Sequence, residues 1–449
     1  MTAIELLHSP ELTGLRGLLH LAKDPLLAFE QARKLHGTFV AYEQGGRSMR
    51  LVMEPSLVDE LLVRHADKLE KDLFTQALRP LLGNGLLTND GPPWKGQRRL
   101  LAPSFHPRQI GKFAEMMVST TEKYVSGLGA EESRDVHADM MQLTLEIVLA
   151  TLFGSDAERT RDVGRLLDVA MDDYRRLTMS FRVAFPAWFP FYSRLRFART
   201  GRKLRSVVED VVRQRRDLPS GDDMLSRLLE AKDEEGRGMD DRQLVDECLT
   251  VLLAGHETTA LALTFALDEM TRHPELVAAL QAELAEVLGT RSATLEDVPR
   301  LRVTRAVAKE ILRLYPPAWA AGRIVIQDFE LGGSKVEKGT SLVVVPWVVH
   351  RDARHFVEPL SFRPERFWNG ETEALPKGAY CPFGAGARVC IGNHFAELEL
   401  ILVLATLFQR CSFRRVGNAP LAFSPSVTLR PRGPVRLEMR APRGTQRSV

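Results

Sequence analysis

The stretch FGAGARVCIG, residues 383–392, decides how the rest of the chain is interpreted. It places Cys390 six residues after Gly384 and four after Gly386, with Arg388 two residues before it. Glycine accepts backbone angles that other residues resist, and it permits close approach to a flat ligand. The residues that follow, IGNHFAELELILVLATLFQ, predict an amphipathic helix. Cys390 is therefore expected at or just before a helix N-terminus, where N–H groups and the helix dipole favour a thiolate.

Several interpretations of Cys390 are open at this point. A thiolate in an apolar setting is a good ligand for haem iron. A lone cysteine is more commonly an inert core residue, and the loop can also be a plain tight turn. A dinucleotide-binding loop fails, because the third glycine of GxGxxG would fall at Val389. The complete string F-G-x-G-x-R-x-C-x-G is far more specific than a lone Cys-Gly pattern.

Composition narrows the class of protein. The 449 residues are 44% hydrophobic, which is ample for a large buried core, and the net charge of +3 gives no argument for a nucleic-acid partner. The four cysteines form no CxxC pair and no zinc-like spacing, so a reduced, cytoplasmic compartment fits better than a disulfide framework. The N-terminus resembles no secretion signal, and no uninterrupted apolar run approaches the roughly 18 residues of a membrane span.

The chain shows no repeat and no break in composition, so we predict one domain over residues 1–449. Two textures alternate: hairpin-like segments, the first turning at Gly45 and Gly46, and long helical periodicity. The predicted fold class is mainly α with small β-sheets. The β-rich parts are expected near 37–54, 321–346 and 420–439, the helical bulk at 92–314 and 391–410, and a frayed tail at 441–449.

A second unusual stretch interrupts the clearest predicted helix. Residues 241–271 are apolar nearly all round, so we expect this helix to cross the centre of the fold. AGHETT, at 254–259, places polar groups midway along it, and such groups are costly to bury unless they are bonded or functional. The hydroxyls can simply bond back to helix carbonyls. A zinc motif H-E-x-x-H fails, because its second histidine would be Ala260.

The string at 383–392 resembles the haem-binding loop of the cytochrome P-450 family, with every fixed position of that motif present. The resemblance implies haem b, iron protoporphyrin IX, as the cofactor, with the thiolate of Cys390 as the axial ligand of the iron. It also implies that Phe383 packs beside the sulfur and that Arg388 reaches a haem propionate. In the implied fold, the haem lies between a long central helix and the cysteine loop.

AGHETT is similar to the family's A-G-x-D/E-T-T signature. In the family, this stretch opens a local groove over the iron, and the resemblance assigns Ala254 to cofactor binding. It implies that Thr258 steadies the bound dioxygen and its water by hydrogen bonding. Glu257 would help to deliver protons, through a relay rather than by direct contact.

Two further motifs resemble an architectural triad of the family. EILR, at 310–313, places Glu310 and Arg313 on one helix face, which alone is typical of any surface helix. It is followed by FRPERF at 362–367, in the order of the family's E-x-x-R and P-E-R-F. The resemblance implies that Glu310, Arg313 and Arg366 lock together and support the cysteine loop.

WKGQRR, at 94–99, places Trp94 and Arg98 on one helix face. Without context it would be a basic surface turn. Beside the other motifs it is similar to the W-x-x-x-R that holds haem propionates in the family, and Arg323 matches another propionate-binding arginine. Lys71 is a further candidate that no motif fixes.

The resemblance implies a haem-thiolate monooxygenase that inserts one atom of O2 into a C–H bond or a double bond of an apolar molecule. The sequence shows no flavin or nicotinamide fingerprint, so we expect electrons from a separate ferredoxin or flavodoxin and its reductase. The proline-rich hinge of membrane-bound relatives is absent, which agrees with a soluble, bacterial-type enzyme. A basic set is a candidate docking surface for an acidic partner, the alternative being a solvated charged face: Lys95, Arg99, Arg108 and Lys112.

Three mostly apolar segments are expected to line the substrate pocket: GNGLLT at 83–88, PAWAA at 317–321 and SPSVTL at 424–429. FRVAFPAWFPFY, at 181–192, crowds aromatic residues around two prolines and is interpreted as a lid, with an ordinary packed connection as the alternative. A hydrophobic substrate of moderate size follows, such as a fatty acid, terpenoid or polyketide.

Alternatives come from two classes. The first keeps the haem-thiolate chemistry but is a peroxide-driven oxygenase or a non-oxygenating isomerase, and the Glu257–Thr258 pair argues against it. The second is a haem electron carrier or gas sensor, against which the same pair argues. A haem-free binding protein would require the cysteine, arginine and tryptophan positions to match by accident.

Overall fold

The computed structural model describes residues 4–129, 132–154, 162–178, 191–217, 221–417 and 419–440. Most of the predicted lid at 181–192 and the predicted tail at 441–449 lie outside the described residues. The described part is mainly helical with small sheets, as predicted. Buried apolar contacts run continuously from Leu12 to Met439, which supports the single domain that we propose.

The helices follow one another over most of the chain between the first and last sheets. They are α1 (Gly14–Lys23), α2 (Pro25–His36), α3 (Pro55–Asp59), α4 (Leu73–Gln76), α5 (Arg79–Leu82), α6 (Gly91–Leu101), α7 (Pro107–Ile110), α8 (Ala114–Ser126), α9 (Val136–Phe153), α10 (Val163–Thr178), α11 (Tyr192–Arg216), α12 (Met224–Glu230), α13 (Asp241–Met270), α14 (Pro274–Val287), α15 (Arg302–Leu314), α16 (Pro346–Val349) and α17 (Asn393–Arg410).

The strands form small sheets near both ends of the chain. They are β1 (Leu7–His8), β2 (Phe39–Gln44), β3 (Arg47–Val52), β4 (Leu69–Lys71), β5 (Glu132–Asp135), β6 (Ala321–Val325), β7 (Phe329–Leu331), β8 (Ser334–Val336), β9 (Ser341–Val344), β10 (Ser412–Arg415), β11 (Phe423–Pro425), β12 (Leu429–Pro431) and β13 (Arg436–Arg440). Among the described residues, the sheet orders are β1-β2-β3-β9-β6-β4, β10-β13-β5, β11-β12 and β7-β8.

The first predicted hairpin is the β2–β3 pair, in which Phe39 lies opposite Val52. Gly45 and Gly46 turn the chain with φ angles of 59° and 73°. Two successive positive φ angles suit the right-handed twist of a two-residue hairpin, and glycine adopts them without steric cost. The same sheet takes β6 and β9, which lie about 280 to 290 residues further along the chain, so it joins distant parts of the sequence.

The helix α13 lies at the centre of the core and packs against α9. A Cβ on Gly255 would come within 3.1 Å of Val148, so the absence of a side chain lets the two helices approach closely there. The hydroxyl of Thr144 donates to the carbonyl of His256 at 2.9 Å and ties α9 to the AGHETT stretch. The apolar residues around α13 are thus explained by neighbours on nearly every side.

Two helices are long and apolar enough to span a membrane by length and composition, α9 and α13, each with a mean hydropathy of 1.3 over its best window. Most of each window is buried inside the fold, 67% for α9 and 78% for α13. Neither window is an uninterrupted apolar run, because His137 and Asp139 interrupt α9 and His256 and Glu257 interrupt α13. Packing of the two helices against each other and their neighbours accounts for their composition.

Phe265, on α13, can be used to test how much the packing around this helix contributes to stability. Its ring is fully buried and lies 5.1 Å from the ring of Tyr315 and 5.9 Å from that of Phe423, centre to centre. Phe265→Ala removes these contacts and leaves a cavity, so we expect the free energy of unfolding to fall by about 3–5 kcal/mol. The measurement is chemical denaturation of the purified protein.

The control is Leu15→Ala, because Leu15 is 73% exposed. Its effect should stay within about 0.5 kcal/mol. Equal effects of the two substitutions would contradict the assignment of α13 to the core.

Candidate active site

The cysteine loop is shaped by two glycines and one backbone hydrogen bond. Gly384 and Gly386 have φ angles of 73° and 66°. A Cβ on Gly386 would lie 2.1 Å from the carbonyl oxygen of Leu62, so only glycine allows the two backbones to approach this closely. The N–H of Cys390 donates to the carbonyl of Phe383 at 2.9 Å. This bond closes the loop just before α17 begins.

Cys390 is exposed, whereas the other three cysteines are buried. Its sulfur is still surrounded by enough protein that burial raises the pKa of the thiol. The backbone N–H of Gly392 and the charges of Arg98 and Lys71 lower this pKa, but they do not offset burial. The N–H group at the start of the helix thus acts in the expected direction, but burial has the larger effect on this pKa. A bound metal cation would supply the missing stabilisation of the anion.

The structure brings Glu310, Arg313 and Arg366 together in the interior, where each is at most 1% exposed. Arg313 donates to the two carboxylate oxygens of Glu310 at 2.7 and 2.8 Å, and Nε of Arg366 lies 3.2 Å from the same carboxylate. Other N–H groups of the two arginines donate to backbone carbonyls within residues 350–361. Such bonds are what a buried ion pair needs to offset its loss of water.

His350 connects this triad to the cysteine loop, and no sequence motif marks it. Burial lowers the pKa of His350 to about 3, so the ring is neutral. Its Nε2 accepts from the N–H of Cys381 at 3.0 Å, so its Nδ1 carries the proton and donates to the carbonyl of Arg313 at 3.1 Å. The contacts thus run from the ion pair to a residue two positions before Phe383.

The AGHETT stretch has an exposed position in an otherwise buried helix. Ala254 is exposed and Thr258 is partly exposed, whereas His256 and Glu257 are buried. Residues four apart share a helix face, so Ala254 and Thr258 lie on the same side of α13. The hydroxyl of Thr258 donates to the carbonyl of Ala254 at 2.7 Å, the backward bond that threonine makes within helices.

Glu257 is held by two residues near the end of the chain. Nε of Arg430, in β12, donates to its Oε1 at 2.5 Å, and the hydroxyl of Thr428 donates to the same oxygen. Burial acts to raise the pKa of Glu257, but the charge and hydrogen bond of Arg430, with the bond from Thr428, outweigh it and hold this pKa below its usual value. Glu257 is therefore an ion-paired carboxylate rather than a free carboxylic acid.

Lys71 and Arg323 lie opposite each other in the β4–β6 pair. Burial, followed by the charges of Arg323 and Arg388, lowers the pKa of Lys71 well below its usual value. Burial and the charge of Arg388 also lower the pKa of Arg323. Among the described residues, no carboxylate forms a salt bridge with either cation, so these side chains suit an anionic ligand.

Arg98 and Arg388 bring two more cations to the cysteine loop. Nη1 of Arg98 donates to the carbonyl of Val389, next to the cysteine, at 2.7 Å. Arg388 pairs with Asp90 at 2.6 Å, and its guanidinium lies 4.2 Å from the centre of the Trp94 ring. Trp94 thus contacts Arg388 through a cation–π interaction. Four cations and an exposed thiol around one loop fit a flat metal complex that carries carboxylates.

Two of the predicted pocket segments contact each other. The indole N–H of Trp319 donates to the carbonyl of Ser426 at 3.0 Å, and the N–H of Leu429 donates to the carbonyl of Pro317 at 3.0 Å. These bonds join residues 317–321 to the β11–β12 turn. The same turn carries Thr428, so the segment that holds Glu257 is fixed to a predicted wall of the pocket.

Comparison with known proteins decides the family. The family model described as cytochrome P-450 matches residues 10–439. The chain belongs to the cytochrome P-450 family. The prediction made from the cysteine loop is confirmed, and the chain is a P-450 monooxygenase, a class that uses a haem-thiolate cofactor.

Three bacterial relatives resemble this P-450 over most of its length. Cyclooctatin synthase of Streptomyces melanosporofaciens is 34% identical, over 93% of this chain and 92% of its own. Cyclooctat-9-en-7-ol 5-monooxygenase of the same organism is 33% identical over 88% and 86%. Pentalenene oxygenase of Streptomyces avermitilis is 30% identical over 86% of both chains.

The solved structure of cyanobacterial CYP120A1 with bound retinoic acid superposes with a TM-score of 0.85, covering 94% of this chain and 96% of that one. The two sequences are 21% identical, so this likeness shows the fold alone. It confirms the mainly helical P-450 fold with small sheets.

The triad can be tested by removing one charge of this P-450. Glu310→Gln leaves the buried guanidinium of Arg313 without a carboxylate, and it leaves Arg366 with only that of Glu371, 3.7 Å away. We expect the free energy of unfolding to fall by about 3–5 kcal/mol, as for other broken buried ion pairs. Chemical denaturation measures it, and Asp210→Asn is the control, because Asp210 pairs with Arg213 on the surface. If Glu310→Gln lowered the free energy of unfolding no more than Asp210→Asn does, the role of the triad in supporting the fold would be contradicted.

Arg430→Leu should reverse the pH dependence that Glu257 contributes. In the wild type the lowered pKa makes Glu257 stabilising above its unfolded-state pKa, and this contribution is lost as the pH falls through the folded-state pKa. Without Arg430, burial raises the folded-state pKa, and stability falls as the pH rises above the unfolded-state value of about 4.3. The loss of unfolding free energy in Arg430→Leu, relative to the wild type, should therefore grow from about pH 4 to pH 7. Denaturation at each pH measures it.

The control is the pair Glu257→Gln and Glu257→Gln with Arg430→Leu, in which no carboxyl titrates at this position. The difference in stability between these two proteins should vary less with pH than that between the wild type and Arg430→Leu, because Glu257 no longer titrates while Asp168 and His137 still sense the charge of Arg430. If Arg430→Leu alone lowered the free energy of unfolding by the same amount at every pH, the stabilisation of the Glu257 anion by Arg430 would be contradicted.

Proposed function

We propose that this P-450 hydroxylates or epoxidises a terpenoid substrate with O2. The observation that carries the proposal is the likeness to three enzymes, named cyclooctatin synthase, cyclooctat-9-en-7-ol 5-monooxygenase and pentalenene oxygenase, all at 30–34% identity. The mostly apolar segments at 83–88, 317–321 and 424–429 suit such a substrate. A fatty acid or a polyketide remains a second candidate by pocket chemistry alone.

Haem b would be held by the groups around the cysteine loop. Cys390 would bind the iron, with Phe383 beside the sulfur. Arg98, Arg323 and Arg388, with Lys71, would receive the propionates, because Lys71 is buried and the three arginines are partly buried around the cysteine loop. Haem supplies the activation of O2, and a thiolate ligand favours cleavage of the O–O bond.

The roles of the α13 residues follow from their exposure. Ala254 and Thr258 share the exposed face of the helix, so Ala254 would contact the haem and the Thr258 hydroxyl would hydrogen-bond groups on the oxygen side. Glu257 would pass protons by exchanging its bonds with Arg430 and Thr428 for water, since a paired carboxylate must be released before it can take up a proton. Arg430 and Thr428 are positioning residues in this scheme.

The overall reaction consumes two electrons and two protons, and it releases water with the oxygenated product. We propose that a ferredoxin or flavodoxin, recharged by its reductase, supplies the electrons. Lys95, Arg108 and Lys112 are exposed and form no salt bridge with a described residue, whereas Arg99 pairs with Glu234 at 2.8 Å. This basic set suits an acidic partner.

The spectrum of the reduced, carbon monoxide-bound protein tests thiolate ligation. We expect a strongly red-shifted Soret band in the wild type and loss of that shift in Cys390→Ser, because a serine hydroxyl does not provide the thiolate. Cys411→Ser is the control, since Cys411 is a buried cysteine away from the loop. A wild-type haem spectrum without the shift would contradict the assignment of Cys390 and favour a carrier or sensor.

Thr258→Ala tests the oxygen side of the site. We expect haem binding to be retained while electrons are diverted to hydrogen peroxide, because the hydroxyl that directs protons is gone. The measurement is the ratio of product and peroxide to NAD(P)H consumed, in a system reconstituted with a ferredoxin and its reductase and pentalenene as the trial substrate. A normal product yield would contradict the relay, and turnover with peroxide alone would favour the peroxide-driven alternative.

A further inference from the structure

The loop at residues 83–88 is fastened to α13 by two adjacent carboxyl groups. The N–H of Asn84 donates to Oδ2 of Asp246 at 2.8 Å, and the N–H of Leu86 donates to Oε2 of Glu247 at 2.9 Å. Both carboxyl groups are buried. Two consecutive residues of one helix therefore hold alternate backbone N–H groups of a loop that lies more than 150 positions away in the sequence.

Two glycines let this loop lie directly on the helix. A Cβ on Gly83 would lie 2.1 Å from Oδ1 of Asp246, and Gly83 has a φ angle of 63°. A Cβ on Gly85 would lie 2.1 Å from Oγ1 of Thr250 and 2.7 Å from the carbonyl oxygen of Asp246. The second contact is with backbone and cannot be relieved by a rotamer change, so the loop fits α13 only without side chains at these positions.

The two carboxyl groups differ in their surroundings. Asp246 also pairs with Arg205 of α11, so it links three parts of the chain. No described residue forms a salt bridge with Glu247, and among the described residues its buried Oε1 finds no hydrogen-bond partner. Burial raises the pKa of Glu247 to about 8, while the N–H of Leu86 acts in the opposite direction. Near neutral pH, the group that accepts from Leu86 is therefore mostly a neutral carboxylic acid.

The position of Glu247 on the helix relates it to the site. Residues 247, 251, 254 and 258 are spaced by four, three and four, so they share one face of α13. Val251 is partly exposed and Ala254 is exposed on that face. The loop seated on Glu247 thus borders the same side of the helix as Thr258. Asp90, two residues after this loop ends, pairs with Arg388 of the cysteine loop.

We propose that Glu247 and Asp246 are positioning residues that seat the 83–88 loop on α13 and thereby set the shape and affinity of the substrate pocket. Substrate contacts then come from the loop, while the two acids act through it. The predicted effect on ligand binding rests on the proposed function. The contact between the 83–88 loop and the two acids does not depend on haem. The different surroundings of the two acids make Glu247 the better residue to test.

The test compares Glu247→Leu with Glu247→Gln, both in the full-length haem protein. Glutamine keeps a neutral acceptor oxygen for the N–H of Leu86, whereas leucine keeps the volume and removes the acceptor. Asp268→Asn is the matched control, since Asp268 is a buried acid at the other end of α13 that pairs with Arg272. Gly85→Ala adds a second approach, in which both acids remain and the added Cβ lifts the loop.

Two readouts are used. Hydrogen exchange measures protection of the peptide that covers residues 83–89, and this measurement needs no ligand. Optical titration of the haem measures the Kd of clotrimazole, a bulky azole that fills the pocket, and of imidazole, which reaches the iron without contacting the loop. Thermal unfolding of each variant checks that the protein is folded.

We expect Glu247→Leu to speed exchange at 83–89 and to raise the Kd of clotrimazole about tenfold, the effect of one lost buried hydrogen bond. The Kd of imidazole should stay unchanged, and Gly85→Ala should behave in the same way. Glu247→Gln should resemble the wild type, as should Asp268→Asn.

Unchanged clotrimazole affinity in both Glu247→Leu and Gly85→Ala would overturn the proposal, as would equal losses in Glu247→Gln or Asp268→Asn. If the wild type showed no azole spectrum at all, the proposed function would fail. The exchange data would then test only whether Glu247 holds the 83–88 loop on α13. Faster exchange at 83–89 in Glu247→Leu would support this, and unchanged exchange would overturn it.

Discussion

The buried ion triad of Glu310, Arg313 and Arg366 is the constraint on which the site depends. Three charges with almost no exposure are tolerable only because nearly every N–H group finds a carboxylate or a backbone carbonyl. Those carbonyls belong to residues 350–361. One of these residues, His350, also accepts a hydrogen bond from the N–H of Cys381. A continuous set of hydrogen bonds thus joins the buried ion pair to Cys381, two residues before the start of the cysteine loop.

Charge is also what distinguishes the two sides of the site. Around Cys390, buried cations lie near a thiol whose pKa burial keeps high, an arrangement that suits a metal complex with carboxylates. On α13, Glu257 shows the opposite case, because Arg430 keeps its pKa low despite complete burial. The structure adds an ion pair between Glu257 and Arg430, which in the proposed relay would have to open before Glu257 delivers a proton.

Much of this arrangement could be predicted from the sequence. The family, the helical class, the central helix and the β2–β3 hairpin follow from local patterns, since glycine turns and apolar periodicity act over a few residues. The partners of Glu257 could not be predicted in this way. A carboxylate in an apolar helix signals that a partner exists. Arg430 is 173 residues away, and nothing in its own neighbourhood marks it.

The sequence by itself determined the chemistry that is available: a cysteine in a glycine-rich loop, an acid and an alcohol on an apolar helix, and arginines at motif spacing. Only the tertiary structure decided the state of each group, because a pKa depends on burial and on charges that the fold brings within a few ångströms. Burial raises the pKa of Cys390 and that of Glu247, whereas Arg430 holds Glu257 as an ion-paired anion. Distances between chain-distant groups appear only when the backbone has closed on itself.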